Sequence, residues 1–215
     1  MPFAPPLYLV TDRRRFPDAA PDAAFSPEEW RVLDAAIAAG VGAVQLRDKD
    51  LDGRALCARA ERLLGRCRRS RVKLIINDRV DVALAVGADG VQLPGDGLPA
   101  EAARRLLGAE PAIGCSVHAA AEIARASGAD FLVFGPVYDT PSKRAYGPPQ
   151  GVARLAEVAR ATPLPVVAVG GVTPARVAEL RRAGAAGVAV MGAILDADDP
   201  ARVVRQFCDA LRAQT

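Results

Sequence analysis

Residues 38–46 read AAGVGAVQL: an alanine-rich run reaches a glycine, and an apolar stretch follows almost at once. Glycine ends a helix in the left-handed conformation, so the stretch reads as helix, short turn, strand. The same device returns at 86–93 (VGADGVQL), 127–134 (SGADFLVF) and 183–190 (AGAAGVAV). Connections this short between helix and strand are typical of alternating α/β units. Working outward, strands are expected at 7–11, 42–47, 72–76, 90–93, 112–116, 131–135, 165–169 and 187–191. Helices are expected near 27–39, 53–69, 79–86, 99–107, 119–127, 151–161, 174–183 and 200–212. Ser26-Pro27-Glu28-Glu29 sets a cap, a first-turn proline and two acids at one helix start, and Thr173-Pro174 repeats the device. KLIIND (73–78) and PVVAVGG (165–171) are almost continuously aliphatic, as strands covered on both faces should be. Eight strand–helix units in 215 residues form the pattern of one (β/α)8 TIM barrel over residues 1–215, without a second domain. A doubly wound sheet would need fewer strands, and no Gly-rich dinucleotide turn follows the first one.

Composition narrows the function. Apolar residues make up 51% of the chain, enough for a large core. A formal charge of +3, scattered arginines and 5% aromatics argue against a nucleic-acid partner. Cys57, Cys67, Cys115 and Cys208 form no Cys-x-x-Cys pair, so zinc and a disulfide framework are not expected. A reducing cytoplasm is the natural compartment. The N-terminal apolar run is too short for a signal peptide, and no stretch approaches a membrane span.

In such barrels chemistry gathers where the strands end. In AVQLRDKD (43–50), Val44 and Leu46 alternate with Gln45, Arg47 and Lys49, so the polar side chains are expected to share one face. Strand three ends in Asn77-Asp78, and strand four runs toward Asp96. Strand five ends in Ser116-Val117-His118, strand six enters the long loop 135–151, and strands seven and eight end in Gly170-Gly171 and Met191-Gly192. Arg47, Lys49 and Lys143 suit a diphosphate. The glycine turns suit a phosphate bound through backbone N–H groups. Asp78 with Asp96 could hold Mg²⁺, which favours few carboxylates plus phosphate oxygens and water. His118, the only histidine, is the acid–base candidate. Plainer readings exist. Taken alone, Arg47 and Lys49 are surface charges paired with Asp48 and Asp50, and Asn77-Asp78 is a helix cap. A lone histidine is more often structural, and the loop could be mere surface. The conjunction of all these residues on one rim favours a site.

The runs QLRDK (45–49), NDRVDVALAVGADGVQL (77–93), GCSVH (114–118), GADFLVFGPVYDTPSK (128–143), VVAVGGVTPARV (166–177) and AGAAGVAVMGAI (183–194) resemble, in order and over nearly the whole chain, the thiamine phosphate synthase superfamily. The resemblance implies one of two activities. A synthase joins hydroxymethylpyrimidine diphosphate to thiazole phosphate with Mg²⁺, releasing diphosphate. A TenI-type tautomerase moves a proton on a thiazole phosphate carboxylate, for which His118 would serve. A regulatory barrel that only binds thiazole or thiamine phosphate stays open, as does an unrelated phosphate-binding isomerase barrel.

On the synthase pattern, Gln45, Arg47, Lys49 and Asn77 would contact the pyrimidine diphosphate, with Asp78 as a Mg²⁺ ligand. Ser116 would hydrogen-bond the diphosphate. Thr140, Ser142 and Lys143 would close over the substrates, while Gly171 and Met191-Gly192 would cradle the thiazole phosphate. The chain departs from that pattern after strand four, where the Asp96 carboxylate falls one position early and the Val-Gln-Leu-Pro run looks tautomerase-like. It departs again at Gly192, where a serine is usual. The retained Asn77-Asp78 pair, Arg47, Lys49 and the Thr-Pro-Ser-Lys loop favour the synthase. Partners would be these small substrates, with no nucleic acid and no membrane; relatives often form homo-oligomers.

Overall fold

Alternate residues of each strand face the lumen of a closed barrel, and the others face a ring of helices. The computed structural model describes residues 4–16, 24–140 and 148–213. Its strands are β1 (Leu7–Val10), β2 (Ala43–Leu46), β3 (Lys73–Asn77), β4 (Gly90–Leu93), β5 (Ala112–Val117), β6 (Phe131–Phe134), β7 (Val166–Val169) and β8 (Gly187–Val190). They pair in chain order, all parallel, and β8 closes on β1 with Leu9 opposite Val190. Every strand lies within one residue of its expected span. The (β/α)8 barrel is therefore the fold.

Gly40, Gly87, Gly128 and Gly184, one in each of the four echoes, have φ of 110°, 63°, 90° and 96°. These are the left-handed turns the echoes imply, a conformation that costs any other residue roughly 1–2 kcal/mol. Helices α1 (Pro27–Ala39), α2 (Gly53–Arg69), α3 (Val80–Val86), α4 (Ala100–Leu107), α5 (Gly151–Arg160), α6 (Val177–Arg182), α7 (Gly192–Leu195) and α8 (Pro200–Arg212) surround the strands. The Ser26 side chain accepts from Glu29 N at 3.1 Å, with Pro27 in the first turn, as its motif suggests.

Four helical segments differ from expectation. The fifth crossover, expected as a helix over 119–127, is a run of 3₁₀ turns at Ala120–Ala126. Ala119 offers no side-chain cap, and Glu122 instead accepts the His118 backbone N–H at 2.7 Å. A 3₁₀ segment rises roughly 2.0 Å per residue against 1.5 Å, so it carries a short crossover farther. The second difference is α7, a single turn after β8 that no local signal marks. The third is a 3₁₀ turn at Arg13–Arg15, started by the Asp12 side chain accepting from Arg14 N. The fourth is at Thr173-Pro174, where Thr173 makes no side-chain cap and Pro174–Arg176 is a 3₁₀ turn ahead of α6.

Leu7, Leu9, Val44, Leu46, Ile76 and Val91 face outward and form the main core with the helices. Tyr8, Ala43, Ile75, Phe131, Val133 and Ala189 fill the lumen, with Tyr8 and Phe131 edge to face at 6.2 Å. Gly114 makes this filling possible. A Cβ there would stand 2.3 Å from Gln92 Oε1 and 2.4 Å from Phe131 Cζ. Among the described residues no helix is long and apolar enough to cross a membrane.

Candidate active site

At the end of β2 the structure separates what the sequence grouped. Gln45 does not look out over the rim with Arg47 and Lys49; it is buried in the lumen and donates to the Tyr8 hydroxyl at 3.0 Å. The reason is that β2 ends at Leu46, so strand alternation no longer governs residues 47–50. Burial holds the Tyr8 phenol far above its usual range, against the smaller opposing effect of Gln45. Tyr8 is therefore a neutral anchor for Gln45.

Beyond the strand the four charges of RDKD divide. Asp48 is buried, accepting Arg59 Nε at 2.7 Å and Arg13 N at 3.2 Å. Asp50 accepts Arg13 Nη1 at 2.8 Å. The reading of Arg47 and Lys49 as surface partners of Asp48 and Asp50 is thus wrong: both carboxylates turn to arginines of other segments. Arg47 is half-buried, its N–H held by Thr11 Oγ1 at 2.9 Å. Lys49 is exposed and lines a cavity of about 200 Å³ with Asn77, Asp78 and Arg79.

The helix-cap reading of Asn77-Asp78 also fails. The residue before α3 is Arg79, and it makes no side-chain cap. Asp78 instead adopts a left-handed backbone with φ of 66°, while its N–H donates to the Gln92 carbonyl at 2.8 Å. Aspartate tolerates that conformation better than most residues, and strain of this kind gathers at functional positions. Its Oδ1 lies 3.1 Å from where a Cβ on Gly97 would stand, which brings the carboxylate beside the Asp96-Gly97 turn. Asp96 itself is exposed.

No group of three or more His, Cys, Asp or Glu able to hold a metal occurs among the described residues. The Asp78 carboxylate, in a cavity lined also by Lys49 and Asn77, fits a Mg²⁺ ion that takes its remaining oxygens from phosphate and water.

On β5, Ser116 Oγ accepts from Gln92 Nε2 at 3.2 Å. His118 sits exposed at the rim with Nδ1 against the Gly135 carbonyl at 2.5 Å. A carbonyl can only accept, so Nδ1 carries a proton, which leaves Nε2 as the ring nitrogen able to exchange one. Thr140 is half-buried at the last described position before the loop. Ser142 and Lys143 lie outside the described residues.

Across the rim, Gly170 and Gly171 have φ of 98° and 63°. A Cβ on Gly171 would meet the Asp139 carbonyl oxygen at 2.7 Å. Tyr138 N donates to the Gly170 carbonyl at 3.0 Å, and Arg176 lies 4.1 Å over the Tyr138 ring while donating to the Gly171 carbonyl. Partial burial and the Glu179 carboxylate push the Tyr138 phenol up to about 12. Met191 precedes α7, and Gly192 opens it. A Cβ on Gly192 would stand 3.3 Å from Arg15 Nη1, a guanidinium also paired with Asp196.

Sequence reasoning missed Tyr8, Arg15, Arg59, Arg79 and Arg176. Only Arg79 carried a usable signal, since it directly follows Asn77-Asp78.

Residues 7–194 match the thiamine monophosphate synthase family model. The chain is 45% identical over 211 residues to a putative thiamine-phosphate synthase of Geobacter sulfurreducens, covering 97% of this chain and 95% of that one. It is 43% identical over 205 residues to the thiamine-phosphate synthase of Roseiflexus castenholzii, covering 94% and 86%. Among solved structures, thiamine phosphate pyrophosphorylase from Pyrococcus furiosus superposes with a TM-score of 0.83 at 30% identity, covering 97% of this chain and 96% of that one. Fold, rim and likeness agree: the chain belongs to the thiamine monophosphate synthase family.

Proposed function

We infer that this chain is a thiamine-phosphate synthase, a transferase of thiamine biosynthesis that couples hydroxymethylpyrimidine diphosphate with thiazole phosphate. One observation carries the reading at the level of residues. Lys49, Asn77 and Asp78 line one cavity, while Asp48 and Asp50, the carboxylates that flank Lys49 in sequence, are bound to Arg59 and Arg13.

In the coupling, the bond between the pyrimidine methylene and the diphosphate oxygen breaks, and its electron pair leaves with diphosphate. The methylene cation is delocalised into the aminopyrimidine, and the thiazole nitrogen lone pair forms the new C–N bond. Charge therefore builds on the departing diphosphate, and fixed cations lower that barrier. Arg47, Lys49 and Lys143 take this role, with Ser116 and Asn77 as hydrogen-bonding partners. Gln45, buried and donating to Tyr8, would meet the pyrimidine only from the lumen beneath the site. Backbone N–H groups at Gly170, Gly171, Met191 and Gly192 hold the thiazole phosphate, and the family pattern gives Thr140 and Ser142 the role of closing over the substrates. Asp78 and Asp96 would hold Mg²⁺, which when bound supplies further positive charge to the diphosphate oxygens. The coupling places no demand on His118 as a base. The reaction belongs in the cytoplasm, where the free thiols of all four cysteines would persist.

The test is direct. Purified chain, both substrates and Mg²⁺ should give thiamine phosphate in a chelator-sensitive way. Asp78→Asn keeps the left-handed backbone accessible but removes the charge, and should lower turnover about 100-fold or more. Full activity in chelator, or in Asp78→Asn, removes the metal role.

The imidazole, tethered through Nδ1 with Nε2 left to exchange a proton, is the observation that favours a second reading, tautomerisation by His118. His118→Gln would abolish that proton transfer and spare the coupling.

A further inference from the structure

Arg59 is wholly buried, with 0% of its side chain exposed, and it is the largest fully buried side chain among the described residues. Its Nε donates to Asp48 at 2.7 Å, its Nη2 to Glu29, and its Nη1 to the Ala24 carbonyl at 3.3 Å. The guanidinium also lies 3.7 Å over the Phe25 ring. Taking three charges out of water is expensive, and an apolar cluster of similar volume often stabilises a protein as well or better. Stability alone is therefore a weak reason for this arrangement.

Its location supplies a stronger one. Asp48 stands between Arg47 and Lys49, on the loop that faces the cavity. Arg59 lies in the middle of α2, and Glu29 in the first turn of α1. The Asp48 side chain is thus fixed to two helices and, through Arg13 N, to the β1 loop. Arg13 extends the clamp by holding Asp50, at 2.8 Å. The aspartates that alternate with the site cations become tethers, and Arg59 satisfies the innermost one.

We propose that Arg59 is a positioning residue for the diphosphate site: by holding Asp48 against α2 it presents Arg47 and Lys49 to the ligand and keeps the neighbouring carboxylate from competing for them. The identity of the ligand rests on the synthase reading above. The device itself rests on the buried Glu29–Arg59–Asp48 chain. Groups that must stand within a fraction of an ångström of a reacting phosphate are sensitive to such support.

Arg59→Lys keeps the charge but cannot bridge Asp48 and Glu29 in one plane. The readout is calorimetric titration of the full chain with inorganic diphosphate and Mg²⁺, and separately with thiazole phosphate. Diphosphate binding should weaken roughly 10- to 100-fold while thiazole phosphate binding stays within about twofold. Arg66→Lys is the control. Arg66 also lies on α2 and covers the Trp30 ring at 3.9 Å, but its guanidinium pairs with Asp34 instead of Asp48. It should leave both ligands unchanged.

Asp48→Asn gives an independent arm if Arg59→Lys does not fold. By charge alone, removing a carboxylate beside the cations would tighten diphosphate; by lost anchorage it should loosen it. Equal weakening of both ligands in Arg59→Lys, the same loss in Arg66→Lys, or tighter diphosphate in Asp48→Asn each overturns the proposal. Wild-type chain that binds diphosphate but forms no thiamine phosphate sinks the synthase reading and leaves the positioning role intact. Wild-type chain that binds no diphosphate sinks both.

Discussion

Between β2 and β4 the rim presents charged side chains, whereas between β7 and β8 it presents backbone. The first region holds Lys49, Asn77 and Asp78 around one cavity, whose Asp48 is tied back to Arg59, with Arg47 on the same loop. The second holds Gly170 and Gly171, shaped by positive φ and by close backbone contacts that exclude a Cβ, and Gly192, bounded by the Asp196 and Arg15 side chains. The contrast matches the two anions of the proposed reaction. A diphosphate that gains charge as it leaves calls for mobile or rigidly aimed full charges. A monophosphate that only anchors its thiazole is served by partial charges on N–H groups, which hold it equally before and after coupling.

The largest expected effect is on the charged side. Lys49→Ala should lower kcat/KM about 100- to 1000-fold, the scale of removing one electrostatic stabiliser, as measured by steady-state formation of thiamine phosphate. Most of that loss should fall on kcat if Lys49 meets the leaving group chiefly in the transition state. On the backbone side, Gly171→Ala adds a Cβ 2.7 Å from the Asp139 carbonyl oxygen at a left-handed position. The turn must shift, so KM for thiazole phosphate should rise on the order of tenfold, with kcat less affected. Between the two regions, Gln45→Ala strands the buried Tyr8 hydroxyl. Thermal unfolding should register a loss of about 1–3 kcal/mol, whatever the effect on catalysis. The smallest effect is expected from Asp50→Asn. The Arg13–Asp50 pair is partly exposed on its aspartate side, so its stability contribution should be roughly 0–1 kcal/mol. Diphosphate affinity should move by no more than about threefold.

The barrel was legible because its signals are local. Gly40, Gly87, Gly128 and Gly184 each announce a left-handed turn within a few residues of the strand that follows, and aliphatic runs mark the strands. The rim was legible in part for the same reason, since Asn77-Asp78, Ser116, His118 and the glycine turns sit at strand ends. What stayed hidden depends on contacts across the chain. Asp48 beside Arg47 and Lys49 looks like a surface pair, because nothing in RDKD reveals Arg13 or Arg59. Gln45 looks like a rim residue until Tyr8, 37 positions away, claims it in the lumen. Arg15 reaches Gly192 from the opposite end of the chain. The fifth crossover was misread in detail because an alanine-rich run suits an α-helix, while Ala119 offers no side-chain cap and Glu122 turns back to the His118 N–H.

The most direct test of the divided rim is a crossed titration. Inorganic diphosphate with Mg²⁺ and thiazole phosphate would each be titrated into Lys49→Ala and Gly171→Ala protein. Lys49→Ala should weaken diphosphate and spare thiazole phosphate, and Gly171→Ala should do the reverse. If both variants weaken both ligands alike, or the pattern is inverted, the assignment of one anion to each side of the barrel is wrong.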